Sequence, residues 1–338
     1  MNQRLLGYLR LARPANLPTA AADILAGVAA AAHFSNAPRS AFSKTTTNFL
    51  SSVSDAFSSS EDGFSGAKEE SIFALDRADF LTSVPVTDIF LLVLASIFLY
   101  AGGVILNDVF DFRIDKVERP ERPIPSGLIP LKSAAAYGAV TLIIGFLLAF
   151  LVDNLSGVIA IALAASILIY DGIAKKHGFF GPFAMGVCRG LNLILGMSIL
   201  GTIGYWQLAI IPIVYIFAIT LISRGEVHGE NKKHIVLAGV LYTTVIFAVS
   251  SVAFLYTDSV LFPLLFLAVF AIAVFRPLVK AHADNSPRNI KNAVMAGVLS
   301  LVVLDASIAV SFSTWWYGLL ILALLPLSMG LSRLFAVT

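Results

Sequence analysis

The stretch Val86–Asp115, VTDIFLLVLASIFLYAGGVILNDVFDFRID, joins an apolar run long enough to cross a lipid bilayer to a short polar segment. The polar segment carries Asn107, Asp108, Asp111 and Asp115. If the helix continues through them at about 100° per residue, these four side chains fall within roughly 100° of one another. The pattern therefore predicts one acidic helix face at the end of a membrane-spanning helix.

Acidic side chains gathered on one face repel one another unless a cation neutralises them. Carboxylate and amide oxygens are the ligands that Mg²⁺ selects, and protein-bound Mg²⁺ commonly bridges to phosphate oxygens. We therefore predict that Asn107, Asp108, Asp111 and Asp115 hold Mg²⁺ beside a phosphorylated substrate.

The composition independently indicates a membrane protein. Hydrophobic residues make up 58% of the chain and charged residues 13%, against roughly 45–50% and 25% in soluble domains. Because the apolar runs lack the alternation of barrel strands, we expect an all-α transmembrane bundle of nine helices, or ten if every run crosses. The runs lie near 16–33, 86–107, 132–152, 155–171, 181–202, 206–223, 235–256, 259–276, 291–312 and 315–334.

The distribution of basic residues predicts the orientation of the bundle. With ten spans, the N-terminus and the loops after even-numbered spans carry most of the 23 Lys and Arg residues, whereas the opposite face carries Arg39, Lys44, Lys68 and Arg77. Basic loops favour the cytoplasmic side. We therefore expect a multi-pass integral membrane protein whose acidic motif faces the cytoplasm, or the stroma or matrix of an organelle.

Residues 34–85 interrupt the membrane pattern with Ser, Thr and scattered charges. We interpret them as a polar loop inserted between the first two spans of a single domain, residues 1–338. Cys188 is the only cysteine in the sequence, so no intramolecular disulfide is possible.

A basic segment follows the acidic motif directly. The sequence K-V-E-R-P-E-R-P-I-P-S-G brings Arg119 and Arg122 back towards the carboxylates, because its prolines break the helix. Guanidinium groups bind phosphate oxygens in pairs of hydrogen bonds. Metal-binding acids beside arginines indicate a diphosphate site, although a salt-bridged loop at a helix end would give the same pattern.

These motifs together resemble those of the UbiA-type intramembrane prenyltransferases. N-D-x-x-D-x-x-x-D followed by R-P-x-R-P-I-P-S-G is similar to the first acidic motif of that family, and A-R-P-A-N-L-P at 12–18 is similar to its first helix. Y-D-G-I-A-K-K at 170–176 resembles a Tyr and Lys segment after the fourth helix. G-P-F-A-M-G-V-C-R-G-L-N-L-I-L-G and S-R-G-E-V-H-G-E most resemble the EboC-like branch.

The resemblance implies a second acidic motif, usually D-x-x-x-D, after the sixth helix. This sequence has Glu226 and Glu230 instead, with Gly225 and Gly229 weakening the helix that would present them. We expect these glutamates to hold a second Mg²⁺, although a charged connecting loop remains the alternative.

Other polar residues complete the predicted site. Arg189 and Asn192 lie one turn apart inside an apolar run, where an arginine needs a polar cavity or a carboxylate partner. Lys175 and Lys176 would reach the diphosphate or anchor the helix at the interface. The predicted catalytic residues are Asp108, Asp111, Asp115 and Lys175, and the predicted substrate-binding residues are Asn16, Arg119, Arg122, Tyr170, Lys175, Lys176, Arg189 and Asn192.

The resemblance implies transfer of a prenyl group from an isoprenyl diphosphate to an acceptor within the membrane, with Mg²⁺ assisting the departure of diphosphate. The expected partners are that diphosphate, an unidentified acceptor molecule or lipid, and the bilayer, with no nucleic acid and no obligate protein partner. A non-catalytic carrier or transporter of an amphipathic molecule is the alternative, although its charges would line a path through the membrane. An alcohol phosphotransferase would need aspartates downstream of Asp171 that the sequence lacks.

Overall fold

The computed structural model describes residues 3–36, 84–226, 229, 231–257 and 259–334. The described residues form helices and connecting turns, with no β-strand among them. The α-helices are α1 (Gln3–Leu11), α2 (Leu17–Asn36), α3 (Val86–Phe110), α4 (Phe112–Glu118), α5 (Leu131–Phe150), α6 (Asn154–Gly172), α7 (Phe180–Met197), α8 (Ile210–Ser223), α9 (Lys232–Tyr256), α10 (Leu261–Ala283), α11 (Pro287–Phe312), α12 (Trp315–Leu322) and α13 (Leu324–Leu334).

Ten helical segments of the described chain are long and apolar enough to cross a membrane. The first includes α1 and α2, and the last consists of α12 and α13. Large apolar side chains such as Phe247, Phe254 and Ile272 are exposed on the outside of the bundle. Lipid can cover such side chains without cost, so the prediction of an all-α membrane bundle is confirmed.

Helix α2 lies at the centre of the bundle, where it packs against α3, α7 and α11. Its sequence is rich in alanine, and a Cβ added at Gly27 would collide with the Leu193 carbonyl oxygen of α7. A Cβ at Gly196 of α7 would likewise collide with the Ile24 carbonyl oxygen of α2. Small residues at this crossing therefore let the two backbones touch.

The helix that carries the acidic motif is interrupted at Asp111, where the predicted continuous helix fails. Asp111 has φ −85° and ψ 1°, and α3 ends immediately before it. The backbone N–H of Asp115 nevertheless donates to the Asp111 carbonyl oxygen at 2.9 Å. The interruption is therefore local, and Asp115 follows Asp111 by one helical turn in α4.

A strained residue joins α1 to α2. Arg13 has φ 46° and ψ 63°, and among the described residues it is the non-glycine residue with positive φ. This left-handed conformation costs about 1 kcal/mol or more for a residue with a Cβ. Pro14 then begins a short 3₁₀ turn, Pro14–Asn16, that leads into α2.

Most of the predicted loop insertion, residues 37–83, lies outside the described residues. The single-domain assignment and the role of the insertion therefore stay predictions.

Candidate active site at the end of α3

The first carboxylate of the acidic motif, Asp108, is held by two arginines. Arg13 Nη2 lies 2.7 Å from Asp108 Oδ1, and Arg122 Nη1 lies 3.4 Å from the same oxygen. Asp108 is buried in the last turn of α3. The left-handed backbone of Arg13 thus accompanies an ion pair that holds its guanidinium group at the end of α3.

The last carboxylate, Asp115, shares Arg122 with Asp108. Arg122 Nη1 lies 2.7 Å from Asp115 Oδ2, and Asp115 is buried. The loop that carries Arg122 is compact, because the Ile129 N–H donates to the Pro123 carbonyl oxygen at 3.0 Å. Gly127 permits the turn with φ 77°. Arg122 therefore joins both ends of the motif.

The C-terminal end of α6 supplies two further contacts. Lys175 Nζ lies 2.6 Å from Asp111 Oδ1. Asn107 Nδ2 donates to Asp171 Oδ1 at 2.5 Å, and Asp171 is buried. Asn107 and Asp111 are four positions apart in the chain, and so are Asp171 and Lys175. The end of α3 therefore makes two pairs, one with α6 at Asp171 and one with the 3₁₀ turn Ala174–Lys176 that follows α6.

The donor atoms of the motif fit Mg²⁺ by their chemistry. All are carboxylate or amide oxygens, which this ion prefers over nitrogen or sulfur. In the described part of the chain, no three or more His, Cys, Asp or Glu side chains are grouped closely enough to hold one metal ion. The carboxylates instead pair with Arg13, Arg122 and Lys175, so metal binding requires these basic groups to turn away.

Glu226, from the predicted second acidic motif, lies close enough to Arg119 and Lys291 to interact with their charges. Burial raises the pKa of the Glu226 carboxyl, and the two basic groups oppose that rise. Arg119 is exposed at the end of α4, and its charge acts on Glu226 of this second motif. Glu230 lies outside the described residues.

The other predicted substrate-binding residues near the end of α3 differ in burial and in contacts. Tyr170 is partly buried and interacts electrostatically with Asp111 and Arg13. Lys176 is exposed. Asn16 ends the 3₁₀ turn that follows Arg13, and its carbonyl oxygen accepts a hydrogen bond from Thr19 Oγ1 at 2.8 Å.

Arg189 and Asn192 lie in a separate buried network, which we call the inner cluster: Asp23, Ser96, Arg189, Asn192 and Asp305. Arg189 Nε lies 2.8 Å from Asp23 Oδ2, and Asn192 Nδ2 donates to the same oxygen at 2.8 Å. Ser96 Oγ donates to Asn192 Oδ1 at 2.7 Å, and Asp305 lies close enough to Asp23 for the two carboxyl groups to interact electrostatically.

The inner cluster is well separated from the acidic motif. Ser96 precedes Asp108 by twelve positions in α3, which corresponds to about 18 Å along a helix. Every member of the cluster is buried. The structure thus gives Arg189 a carboxylate partner near the middle of the bundle. Arg122 and Lys175 lie elsewhere, beside the acidic motif at the end of α3.

Sequence reasoning missed two residues of the site, Arg13 and Asp171. Both lie inside motifs already singled out, A-R-P-A-N-L-P and Y-D-G-I-A-K-K. The available signal was a charged residue near the end of an apolar helix, where it needs an oppositely charged or hydrogen-bonding partner. The sequence could not predict which residues these charges would contact, since Arg13 and Asp108 are 95 positions apart.

Residues 80–295 match the family model described as the UbiA prenyltransferase family. Two relatives are named digeranylgeranylglyceryl phosphate synthase. The one from Methanococcoides burtonii is 40% identical over 121 residues, which are 36% of this chain and 43% of the relative. The one from Sulfurisphaera tokodaii is 34% identical over 152 residues, 44% of this chain and 54% of the relative. The chain therefore spans about half the length of these relatives.

Solved structures share the fold. A structure described as concerning digeranylgeranylglyceryl phosphate synthase in membranes aligns with a TM-score of 0.59 and 17% identity, covering 92% of this chain and 99% of that one. A UbiA homologue from Archaeoglobus fulgidus, bound to GPP and Mg²⁺, aligns with a TM-score of 0.54 and 12% identity, covering 89% and 99%. None of these comparisons tests the EboC-like branch, which stays a prediction.

Proposed function

Because the chain belongs to the UbiA prenyltransferase family, we propose that it transfers a prenyl group from an isoprenyl diphosphate to an acceptor in the membrane, with Mg²⁺ bound at the end of α3. The observation that carries this proposal is the set of exchangeable ion pairs there. Asp108, Asp111 and Asp115 are each held by a basic side chain that is itself a phosphate ligand by chemistry.

Binding of the substrate exchanges these pairs. Asn107, Asp108, Asp111 and Asp115 would hold Mg²⁺ through their side-chain oxygens, and Glu226 with Glu230 would hold a second ion. Arg122 and Lys175 then donate to the diphosphate, helped by Arg13. Arg119 and Lys176, which are exposed, lie at the rim and attract the anionic substrate.

The reaction breaks the bond between the prenyl carbon and the diphosphate oxygen and forms a bond from that carbon to the acceptor, with release of diphosphate and of the acceptor's proton. Bound Mg²⁺ supplies electrostatic stabilisation for the charge that develops on the leaving diphosphate. Arg122 and Lys175 donate hydrogen bonds to the same oxygens, and burial at the end of α3 strengthens them by excluding water. Tyr170 and Asn16 line the approach to these groups.

The names of the relatives suggest the first substrates to test. They indicate geranylgeranyl donors and a glyceryl phosphate acceptor, so geranylgeranyl diphosphate and a prenylated glyceryl phosphate come first. The GPP-bound homologue supports testing a shorter donor as well. The excess of basic residues on the same face supports a cytoplasmic, stromal or matrix location for the reaction.

The test compares Asp111→Asn with Asp88→Asn, which makes the same change near the other end of α3. Purified wild type, supplied with geranylgeranyl diphosphate and a prenylated glyceryl phosphate as acceptor, is expected to release diphosphate in a Mg²⁺-dependent manner. Asp111→Asn should lose nearly all of this turnover while remaining folded, because one metal-binding charge disappears at constant volume. Asp88→Asn should retain it.

Full turnover by folded Asp111→Asn would contradict the proposed role of the motif. Metal-dependent binding of the donor without turnover, against a panel of acceptors, would favour the carrier alternative. Thermal unfolding with and without donor separates these outcomes, since a ligand stabilises only the state that binds it.

A further inference from the structure

Asp171 is buried near the carboxylates, yet it belongs to neither acidic motif. Its Oδ1 accepts a hydrogen bond from Asn107 Nδ2 at 2.5 Å. The nitrogen and oxygen of an asparagine amide are interchangeable in shape, so a hydrogen-bonding partner decides which one faces a site. A carboxylate accepts and does not donate, so Asp171 requires the amide nitrogen of Asn107 to face α6.

This contact leaves the Asn107 oxygen free for the opposite side. Asn107 lies one helical turn before Asp111, and the amide oxygen is the only part of its side chain that can bind a cation. If the amide were reversed, its N–H groups would face the metal and repel it. The direction of the Asn107 amide therefore decides whether this residue is a ligand at all.

The neighbouring pair behaves differently. Lys175 holds Asp111 one turn away, but its ammonium group is a phosphate ligand and must leave Asp111 when diphosphate binds. Asp171 has no such competing role, because an acid gains nothing from facing a diphosphate. We therefore expect the Asn107–Asp171 contact to persist when the diphosphate binds.

We propose that Asp171 is a positioning residue that fixes the Asn107 amide with its oxygen towards the Mg²⁺ ion. This inference rests on the proposed function, because it assumes that the motif at the end of α3 binds metal. Such supporting contacts behind a ligand typically contribute 10–100-fold to metal affinity.

The first variant is Asp171→Leu, which removes the acceptor while keeping a branched side chain of similar length. Leucine is favourable within a membrane-spanning helix, so the fold should tolerate it. The matched control is Asp153→Asn, at the other end of α6, where the residue caps the helix by accepting from the Leu155 N–H. Asparagine caps as well as aspartate does.

The measurement is the Mg²⁺ concentration that gives half-maximal protection from thermal unfolding at fixed inorganic pyrophosphate. Asp171→Leu should raise this concentration by about 10–100-fold, and Asp153→Asn should leave it unchanged. The KM for Mg²⁺ should rise to a similar extent while kcat at saturating Mg²⁺ stays close to wild type. A merely structural loss would lower protection at every Mg²⁺ concentration.

A reciprocal double variant tests the contact itself. In N107D/D171N the amide and the carboxylate exchange places, so the amide on α6 donates to the carboxylate on α3 and an oxygen still faces the metal. This variant should recover Mg²⁺ affinity to within several-fold of wild type. If Asp171→Leu does not fold, Asp171→Ala takes its place with the same expectation.

The failures are distinguishable. Wild type without any Mg²⁺-dependent protection would overturn both the metal site and this inference. Protected wild type together with an equally protected, folded Asp171→Leu would overturn this inference alone. Failure of N107D/D171N to exceed Asp171→Leu in Mg²⁺ affinity would also overturn it.

Discussion

Arg122 is the residue on which the two ends of the acidic motif converge. Its Nη1 lies 2.7 Å from Asp115 Oδ2 and 3.4 Å from Asp108 Oδ1. A planar guanidinium group can contact two acids at once and later present the same N–H groups to a diphosphate. We therefore propose that Arg122 organises the site before the substrate arrives and binds the diphosphate afterwards.

Replacing Arg122 by glutamine should weaken diphosphate binding by about 10–100-fold, because one charge-assisted hydrogen bond contributes roughly 1.5–3 kcal/mol. Arg113→Gln is the control, since Arg113 lies in α4 close by and makes no ion pair with the motif among the described residues. Calorimetric titration with inorganic pyrophosphate and Mg²⁺ measures both. Equal affinities of the two variants would remove Arg122 from the binding site.

Glu226 should make stability depend on pH in the metal-free protein. Burial raises the pKa of its carboxyl above the ordinary 4.5, so the protonated form is favoured on folding and its stabilising contribution is lost as pH rises through the folded pKa. Glu226→Gln should therefore be more stable relative to wild type at neutral than at acidic pH.

Thermal unfolding in EDTA across that range tests this, with exposed Glu121→Gln as the control. A Glu226→Gln difference that stays constant with pH would show that Glu226 titrates alike in the folded and unfolded states.

The sequence allowed the acids and the nearby Arg122 to be predicted, but not the contacts made by Arg13 and Asp171. Asn107, Asp108, Asp111 and Asp115 are neighbours in one helix, so their shared face follows from helix geometry. Arg13 and Asp171 come from other helices, and only tertiary packing brings them to the end of α3.

Among the elements, α3 and α4 depart most from what periodicity predicts. The hydrogen bond from the Asp115 N–H to the Asp111 carbonyl keeps helical spacing, whereas the backbone of Asp111 does not have helical dihedral angles. The pairing of Asp111 with Lys175 is a tertiary contact, and a helical-wheel argument cannot include it.

The crossing of α2 and α7 depends on glycine at two positions. Gly196→Ala should lower the free energy of unfolding by about 1–3 kcal/mol, because its Cβ would collide with the main-chain oxygen of Ile24. Gly330→Ala in α13 is the matched control, since a Cβ there meets nothing within 4 Å.

Denaturant titration in detergent measures both variants. If Gly196→Ala were as stable as Gly330→Ala, the two helices would have to separate at no cost.

The whole molecule is held together by an apolar core with the inner cluster inside it. Asp23 of α2, Arg189 and Asn192 of α7, and Asp305 of α11 join three of the most central helices. Removing one member of a buried ion pair leaves an unpaired charge, which costs about 3–5 kcal/mol.

Asp23→Asn and Arg189→Gln should each destabilise the bundle by about that amount, and the double variant by clearly less than the sum. The unfolding free energies of wild type, the two single variants and the double variant together give the interaction energy between Asp23 and Arg189. Additive effects would mean that the two side chains do not interact. If Arg189→Gln lost pyrophosphate binding without losing stability, Arg189 would instead be a substrate-binding residue.

An all-α bundle of nine or ten spans was predictable, because lipid imposes both the length and the composition of a spanning helix. Hydropathy could not predict that α2 would be central. Its alanines and Gly27 lower its apparent hydrophobicity while permitting the close contacts that bury it.

The position of Asp23 also bears on how the protein is made. Asp23 and its partner Asn192 are separated by 169 positions, which a ribosome translates in roughly 10–30 s at about 5–20 residues per second. Throughout that interval the nascent first span carries an acid whose partners on α7 do not yet exist. The insertion machinery must therefore shelter this helix, or Asp23 must remain protonated, until α7 emerges.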